Sequence, residues 1–255
     1  MARSSLTIHG SASGMPNGGR VCSGYLIEHH DALTLLDCGS GVAASFLRKG
    51  FDLRRLDCVV ISHTHPDHVS DLPLLIQYLH LAGKSSPIDF YLPREFETIF
   101  EQMIRAMYVI PERYAFDLRV HGYEPGVLCE QPFAIEAIGN SHLKSYESDV
   151  RRLGLPNRMQ SFSLRVTVGG VTIVYSGDVA SFGELKPHLD ECHLLLLETS
   201  HVDIAEVKEY AAGYPGMRIV LTHLTGEDAA SRLGREFEGL RNVQIAEDGM
   251  RVELG

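Results

Sequence analysis

The hydrophobic positions change period several times along the chain. Leu6 to Ile8, Ser23 to Glu28 and Leu33 to Asp37 are short apolar-rich runs parted by Gly, Pro and Asn, the spacing of β-strands joined by turns. DCGSG breaks that pattern and leads into a helical segment over Val42 to Lys49, and LDCVVIS reads as a buried strand. In DLPLLIQYLHL, Leu72, Leu75, Ile76 and Leu79 recur at helical spacing, and the segment stops at Gly83. FYLP predicts a short strand, and REFETIFEQMIRAMYV an amphipathic helix ended by Pro111.

The second half repeats this grammar. FAIEAIGNSH is strand-like and runs to His142, and SFSLRVTVGGVTIVYSGD predicts a hairpin turning at Gly169-Gly170 and running to Asp178. HLLLLETSH is a buried strand reaching His201, DIAEVKEYAAGY a helix, MRIVLTH a strand reaching His223, EDAASRLGREFEG a helix, and VQIAEDGMRVEL a closing strand pair. Strands then helices, twice over, predict an α/β unit spanning residues 1–255 in two similar halves. Each half is a mostly buried sheet covered by helices, with the sheets stacked and the helices outside. Residues 140–160 (NSHLKSYESDVRRLGLPNRMQ) remain as a long loop suited to function, and 94–130 as a lid or a homodimer contact.

Composition narrows the setting. A chain of 255 residues buries roughly three quarters of its unfolded surface and needs no disulfides. Its five cysteines are scattered, with no CxxC pair, which predicts reduced, mostly buried thiols and a cytoplasmic protein. There is no signal-peptide pattern, and the longest apolar run, Leu194 to Leu197, is too short for a bilayer, so no membrane partner is expected. A net charge of −10 disfavours nucleic acid as a partner, because such binding rests on neutralising phosphates with Lys and Arg. Arg54-Arg55 and the group Arg151, Arg152, Arg158 are the candidates for a local patch; solvated surface arginines are the simpler reading.

The candidate chemistry lies in ISHTHPDHVSD. A polar turn has no use for three imidazoles and a carboxylate within six residues, whereas a metal site does. Alternation after the strand lets His63 and His65 point the same way, and Pro66 bends the chain so that Asp67 and His68 face another point. That suits two adjacent ions, since four ligands on one tetrahedral ion leave no open position for water or substrate. Three later strand ends complete the set: His142, Asp178 and His223. We assign His63, His65 and His142 to one ion, Asp67, His68 and His223 to the other, and Asp178 as the bridge. Nitrogen and carboxylate donors without cysteine fit zinc, with manganese or iron as alternatives. Asp37 either hydrogen-bonds a metal-bound histidine or is an ordinary turn aspartate; His9, His80, His121 and His188 are assigned nothing.

HxHxDH followed in order by separate His, Asp and His motifs resembles the metallo-β-lactamase fold superfamily over nearly the whole chain, from GSASGMP and LLDCGSG to LTH. The resemblance implies a four-layer αββα sandwich with a dinuclear metal centre at one edge of the sheets. Asp178 stands where β-lactamases of this fold carry a cysteine, which argues against antibiotic hydrolysis, and His65 stands where the flavodiiron branch carries glutamate, which argues against oxygen chemistry.

Two divalent ions, two aspartates and a bridging hydroxide leave a net charge near +1, a receptor for an anionic oxygen with a nucleophile available at about neutral pH. Asp67 would orient or deprotonate the attacking water. His201 is not needed as a ligand; it serves as general acid with Glu198 fixing its tautomer or orientation, or it caps the following helix or packs on the rim. GSASGMP, SGYLIE, LLDCGSG, VYSGD and LTHLT are similar to the phosphodiesterase branch, which includes ribonuclease Z and cyclic phosphodiesterases. The ribonuclease Z motifs are fused here into ETSH, and no Gly/Pro-rich basic arm for gripping tRNA is found. The expected activity is therefore hydrolysis of a small-molecule or cyclic phosphodiester. A ribonuclease Z-like tRNA 3′-processing endonuclease is the first alternative, a lactonase- or thioesterase-type acyl hydrolase the second, and a non-catalytic metal-binding scaffold the third.

Overall fold

A computed structural model describes residues 4–15 and 19–254; Pro16, the last residue of GSASGMP, lies outside the described residues. The first half contributes β1 (Ser5–Gly10), β2 (Gly24–His29), β3 (Ala32–Leu36), α1 (Val42–Arg48), β4 (Leu56–Val60), α2 (Pro66–Val69), α3 (Leu72–Leu81), β5 (Ile88–Pro93), α4 (Glu97–Ala106) and β6 (Leu118–Tyr123). The second contributes β7 (Gly126–Cys129), β8 (Ala134–Gly139), α5 (Glu147–Leu153), β9 (Phe162–Val168), β10 (Val171–Tyr175), β11 (Leu194–Glu198), α6 (Ile204–Gly213), β12 (Arg218–Thr222), α7 (Ala229–Glu236), β13 (Val243–Ile245) and β14 (Arg251–Glu253).

Two seven-stranded sheets result, in the orders β14-β1-β2-β3-β4-β5-β6 and β13-β12-β11-β10-β9-β8-β7. Each is antiparallel on one side and parallel on the other: β3 through β6 run parallel in the first sheet, β10 through β13 in the second. The layers follow from side-chain alternation. Tyr25 and Ile27 join a core that also holds Leu164, Val166, Ile173 and Val220 of the second sheet, while Leu26 between them faces Val42, Phe46 and Leu75 on the outer helices. The run Leu194 to Leu197 divides likewise, Leu194 and Leu196 inward, Leu195 and Leu197 outward toward Val207 and Leu233. A strand buried on both faces has no reason to alternate with polar residues, which is why this stretch is continuously apolar. The architecture is the αββα sandwich.

Three expectations need correction. The closing segment is not a strand pair: β13 pairs with β12, whereas β14 crosses to the other sheet and pairs with β1. Residues 94–130 are not a lid; α4 buries Phe100 and Ile104 against the first sheet, and β6 and β7 are the edge strands of the two sheets. Residues 140–160 are not one irregular loop. A 3-10 turn covers His142–Tyr146 and leads into α5, which has acidic residues in its first turn, arginines in its last, and Gly154 at φ 63° ending it. Those are ordinary helix boundary signals.

Candidate metal centre

Every predicted ligand follows the C-terminal end of a strand, and those ends lie along one edge of the sandwich. His63 to His68 follow β4, His142 follows β8, Asp178 follows β10 and His223 follows β12. In open α/β sheets this is the end at which loops gather functional groups.

The local fold aims the first cluster. Pro66 opens α2 at its first position, where a missing N–H costs nothing, and the short turn separates Asp67 and His68 from His63 and His65. The DCGSG turn then clamps it: Cys38 N–H donates to the His68 carbonyl at 2.8 Å, and Asp71 N–H donates to the Cys38 carbonyl at 3.1 Å. Asp71 in turn accepts from the N–H groups of Gly41 and Ala43 at 2.9 and 3.0 Å. Gly39 is required here, because a Cβ would lie 1.8 Å from the Asp67 carbonyl oxygen.

The seven side chains converge as two sets. His63, His65, His142 and Asp178 offer ligand atoms within 4.8 Å of one another, as do Asp67, His68 and His223. Asp178 faces both: its Oδ2 is 3.9 Å from His63 Nε2 and 3.7 Å from His142 Nε2, and its Oδ1 is 3.4 Å from His68 Nε2 and 3.5 Å from His223 Nε2. His142 Nε2 and His65 Nδ1 are 3.2 Å apart, and His223 Nε2 and Asp67 Oδ2 are 3.1 Å apart. Ligands held about 2.0–2.1 Å from a tetrahedral ion are about 3.3 Å from each other, so these are spacings a metal polyhedron requires.

Satisfaction of polar groups carries the same message. His63 Nε2, His68 Nε2 and Asp178 Oδ1 are buried without a hydrogen-bond partner. Three such atoms at one point would each cost about 1–3 kcal/mol if nothing joined them. The opposite nitrogens are engaged: His68 Nδ1–H donates to Asp37 at 2.6 Å, His63 Nδ1 lies 3.1 Å from Ser62 Oγ, and His223 Nδ1 lies 3.1 Å from Ser200 Oγ. Each contact occupies Nδ1 and leaves Nε2 turned inward, which is what a metal-binding imidazole needs. The donor set fits a divalent ion at either position.

Without an ion the charges are polarised. Burial lowers the His63 pKa well below the usual histidine range, and burial brings His142 down to about 4. Burial opposes the charge on His68 too, but Asp178 and Asp37 outweigh it and hold this imidazole well above its ordinary value. Burial also raises the carboxyls, yet the hydrogen bond from His223, with the charge of His68 nearby, takes Asp67 down, and the charges of His223 and His68 take Asp178 well down.

Asp37 lies beneath the cluster and would support it. It is fully buried at φ 57° and accepts four hydrogen bonds: from Ser62 N–H and Oγ–H at 2.7 Å each, His68 Nδ1–H at 2.6 Å and Tyr175 Oη–H at 2.6 Å. Tyr175 belongs to the second sheet, so one carboxylate ties the sheets together under His68. Tyr175 and Ser62 lie within VYSGD and ISHTHPDHVSD but do not stand out there, since neither is a ligand type. Glu184 is another residue missed, because it lies in no ligand-like pattern. Its carboxylate accepts from Ser141 Oγ–H, from Ser141 N–H at 3.4 Å and from Ala180 N–H at 3.3 Å, joining the turn that carries His142 to the turn that carries Asp178.

His201 sits at the rim, its side chain 39% exposed, in the turn after β11 rather than in the strand. Its Nδ1 is 3.2 Å from Glu198 Oε1, and Glu198, itself buried, also accepts from the N–H groups of Ser200 and His201 at 2.6 and 3.0 Å. The His201 ring is 4.7 Å from that of His142, and the hydrogen bond that His201 donates to Glu198 raises its pKa. The helix-cap alternative does not hold, because Asp203 caps α6 by accepting from Ala205 N–H. The arginines form no open anion site: Arg54 pairs with Asp52, Arg55 with Glu28, Arg151 with Glu147, Arg152 with Asp149 and Arg158 with Glu124.

A sandwich of two mixed sheets with a seven-residue His/Asp cluster at one edge defines a class, and comparison with known proteins agrees with it. Residues 17–153 match the family described as the Metallo-beta-lactamase superfamily. The chain belongs to that superfamily and is a metal-dependent hydrolase. It is 26% identical to a ribonuclease Z of Myxococcus xanthus (strain DK1622) over an alignment 302 positions long, covering 98% of this chain and 97% of the relative. Among solved structures it is similar to the metallo-beta-lactamase fold protein YhfI of Bacillus subtilis, with a TM-score of 0.76, 23% identity and coverage of 98% and 99%. It is also similar to the short form of human tRNase Z, with a TM-score of 0.73, 21% identity and coverage of 98% and 99%.

Proposed function

We propose that the protein is a phosphodiesterase that binds two divalent ions, zinc in the first place, and hydrolyses a small or cyclic phosphodiester. The observation that carries this is the Asp178 carboxylate, with one oxygen turned toward His63 and His142 and the other toward His68 and His223. A paired cation site of this kind suits phosphoryl transfer, because bound ions polarise the phosphoryl oxygens and lower the pKa of water to about 7.

The chain's own residues supply the rest. Asp67, held below its ordinary pKa, stays ionised and accepts a hydrogen bond from the attacking water, orienting its lone pair toward phosphorus. The attacking water gives up one proton to solvent as its oxygen bonds to phosphorus, the ester P–O bond breaks, and the leaving oxygen takes a proton from His201 Nε2, which solvent then restores. Glu198 fixes His201 through Nδ1 and raises its pKa, which favours the protonated form that task needs. The buried walls at His63 and His68 limit water access from behind.

A ribonuclease Z-like activity on precursor tRNA is the second reading, favoured by the curated relative that spans 98% of the chain. The small diester is preferred because the net charge is −10 and because the arginines beside the centre are spent on carboxylates. Four of the five cysteines are buried and none is paired, which supports a reducing, cytoplasmic setting. No helix among the described residues is long and apolar enough to cross a membrane.

The test is turnover of bis-p-nitrophenyl phosphate, abolished by chelation and restored by zinc or manganese, with two ions per chain by elemental analysis. Asp178→Ala should lose both ions, and retention of two would refute the bridging role. Cleavage of precursor tRNA at a higher kcat/KM than any small diester would replace the first reading with the second. Faster turnover of lactones or thioesters would replace both.

A further inference from the structure

A pocket of about 300 Å³ opens beside His65, lined among others by Tyr146, Leu143, Leu155, Met159, Asp149 and Glu95. That volume is at the small end for ligand sites, enough for one ring system and its linker but not for a folded polymer. The Tyr146 ring stands 5.7 Å from that of His65 at 76°, and its side chain is otherwise half exposed, as is that of Leu155. Tyr146 and Leu155 are exposed together on one pocket beside a charged centre, a cluster suited to receive something flat and apolar.

The floor is built deliberately. Met159 has φ 54°, a left-handed conformation that a long side chain takes only when its surroundings enforce it. Here Glu95 enforces it: its carboxylate accepts from Arg158 N–H and, at 2.9 Å, from Gln160 N–H, while Gln160 Oε1 accepts from Glu95 N–H at 2.8 Å. The strained turn presents Met159 to the pocket. Charge then excludes alternatives. The rim supplies two carboxylates, Glu95 and Asp149, and its nearest arginines are neutralised, Arg152 by Asp149 at 2.5 Å and Arg151 by Glu147 at 3.0 Å. These pairs cancel, so a second phosphate in this pocket would meet the Glu95 carboxylate, which has no ion pair among the described residues.

Position decides which part of a substrate enters. The His142 ring is 5.0 Å from His65 and 4.7 Å from His201, so the pocket at His65 and the proton donor both adjoin it. The leaving oxygen departs toward His201. We propose that the pocket beside His65 is the subsite for one flat, uncharged arm of the diester, a nucleoside base or aryl ring, retained on phosphorus after cleavage; this rests on the phosphodiesterase reading above.

Two esters with the same leaving group test it: thymidine 5′-(p-nitrophenyl phosphate) and methyl p-nitrophenyl phosphate, assayed on the metal-loaded protein. The thymidine ester should have the higher kcat/KM, mainly through KM. Tyr146→Ala, and separately Leu155→Ala, should shrink that preference, about tenfold for the tyrosine if it stacks on the base. A preference absent from the wild type, or unchanged in both variants, overturns the proposal. So does a thymidine ester bearing a further 3′-phosphate that is preferred over the plain ester. Calorimetric titration with thymidine 5′-monophosphate and with methyl phosphate gives a readout free of catalysis. The nucleotide should bind more tightly, and Tyr146→Ala should remove most of the difference. Failure of chelator-sensitive turnover on every diester refutes the phosphodiesterase reading, while the calorimetric comparison still decides the pocket.

Discussion

Asp37→Asn tests the architecture beneath the metal site with the smallest available change. The side chain keeps its shape, but one acceptor oxygen becomes an NH2 group. Asp37 Oδ2 receives Ser62 Oγ–H, His68 Nδ1–H and Tyr175 Oη–H, and Oδ1 receives the Ser62 backbone N–H at 2.7 Å. The best arrangement keeps the amide oxygen at the three-donor position and turns the NH2 toward the Ser62 N–H, leaving two buried donors facing each other. That conflict should cost about 1–3 kcal/mol of folding stability. The reverse flip is worse, since His68 would have to accept at Nδ1 and carry its proton on Nε2, the atom aimed at the centre. Loss of the carboxylate also makes His68 a weaker donor, and changes of this kind lower metal affinity about 10–100-fold. The assays are urea denaturation of the metal-free protein, and metal content after dialysis against graded chelator. If Asp37→Asn binds both ions as tightly as wild type with unchanged stability, the four-bond carboxylate is not what holds His68, and this account of the site is wrong.

Other outcomes follow from the same reasoning. Glu184→Ala should loosen the join between the His142 and Asp178 turns and lower affinity at the His63/His65/His142 position about tenfold, with partial rescue by Glu184→Gln; equal loss at both positions, measured by stepwise metal titration, would count against it. His201→Ala should retain both ions and lower kcat about 10²–10⁴-fold on an alkyl diester, but far less when p-nitrophenolate leaves, because that group needs no proton; an equal loss on both substrates refutes the acid role. His9 is stacked 4.1 Å from Phe46, and burial, with Lys49 nearby, pushes its pKa down to about 3 from 6.5. Below pH 6.5 the unfolded chain takes up a proton that the native state refuses, so stability is complete above that pH and falls as pH drops toward 3. From pH 6.5 to 5 the loss is about 2 kcal/mol, and His9→Phe should lack it; parallel urea midpoints for the two proteins at pH 7 and 5 would refute this.

The chain order alone determined the layers and the ligand candidates. Strand and helix periods, the Gly169-Gly170 hairpin and HTHPDH are local signals, because each reports on a few consecutive residues and their backbone preferences. Ligand residues also announce themselves by type, since imidazoles and carboxylates at strand ends have few other uses. What tertiary structure decided is everything that joins distant segments. Nothing near Arg251 says that β14 will cross to the first sheet, because pairing depends on an edge offered by β1, more than two hundred residues away. The edge strands β6 and β7 were overlooked because each buries little and so alternates weakly. Tyr175, Ser62 and Glu184 are ordinary residues made important only by what the fold brings within 3.5 Å of them. Ligand chemistry is carried by side-chain type and is written in the sequence; the support that fixes its geometry is carried by packing across the two sheets, and no short stretch of chain contains it.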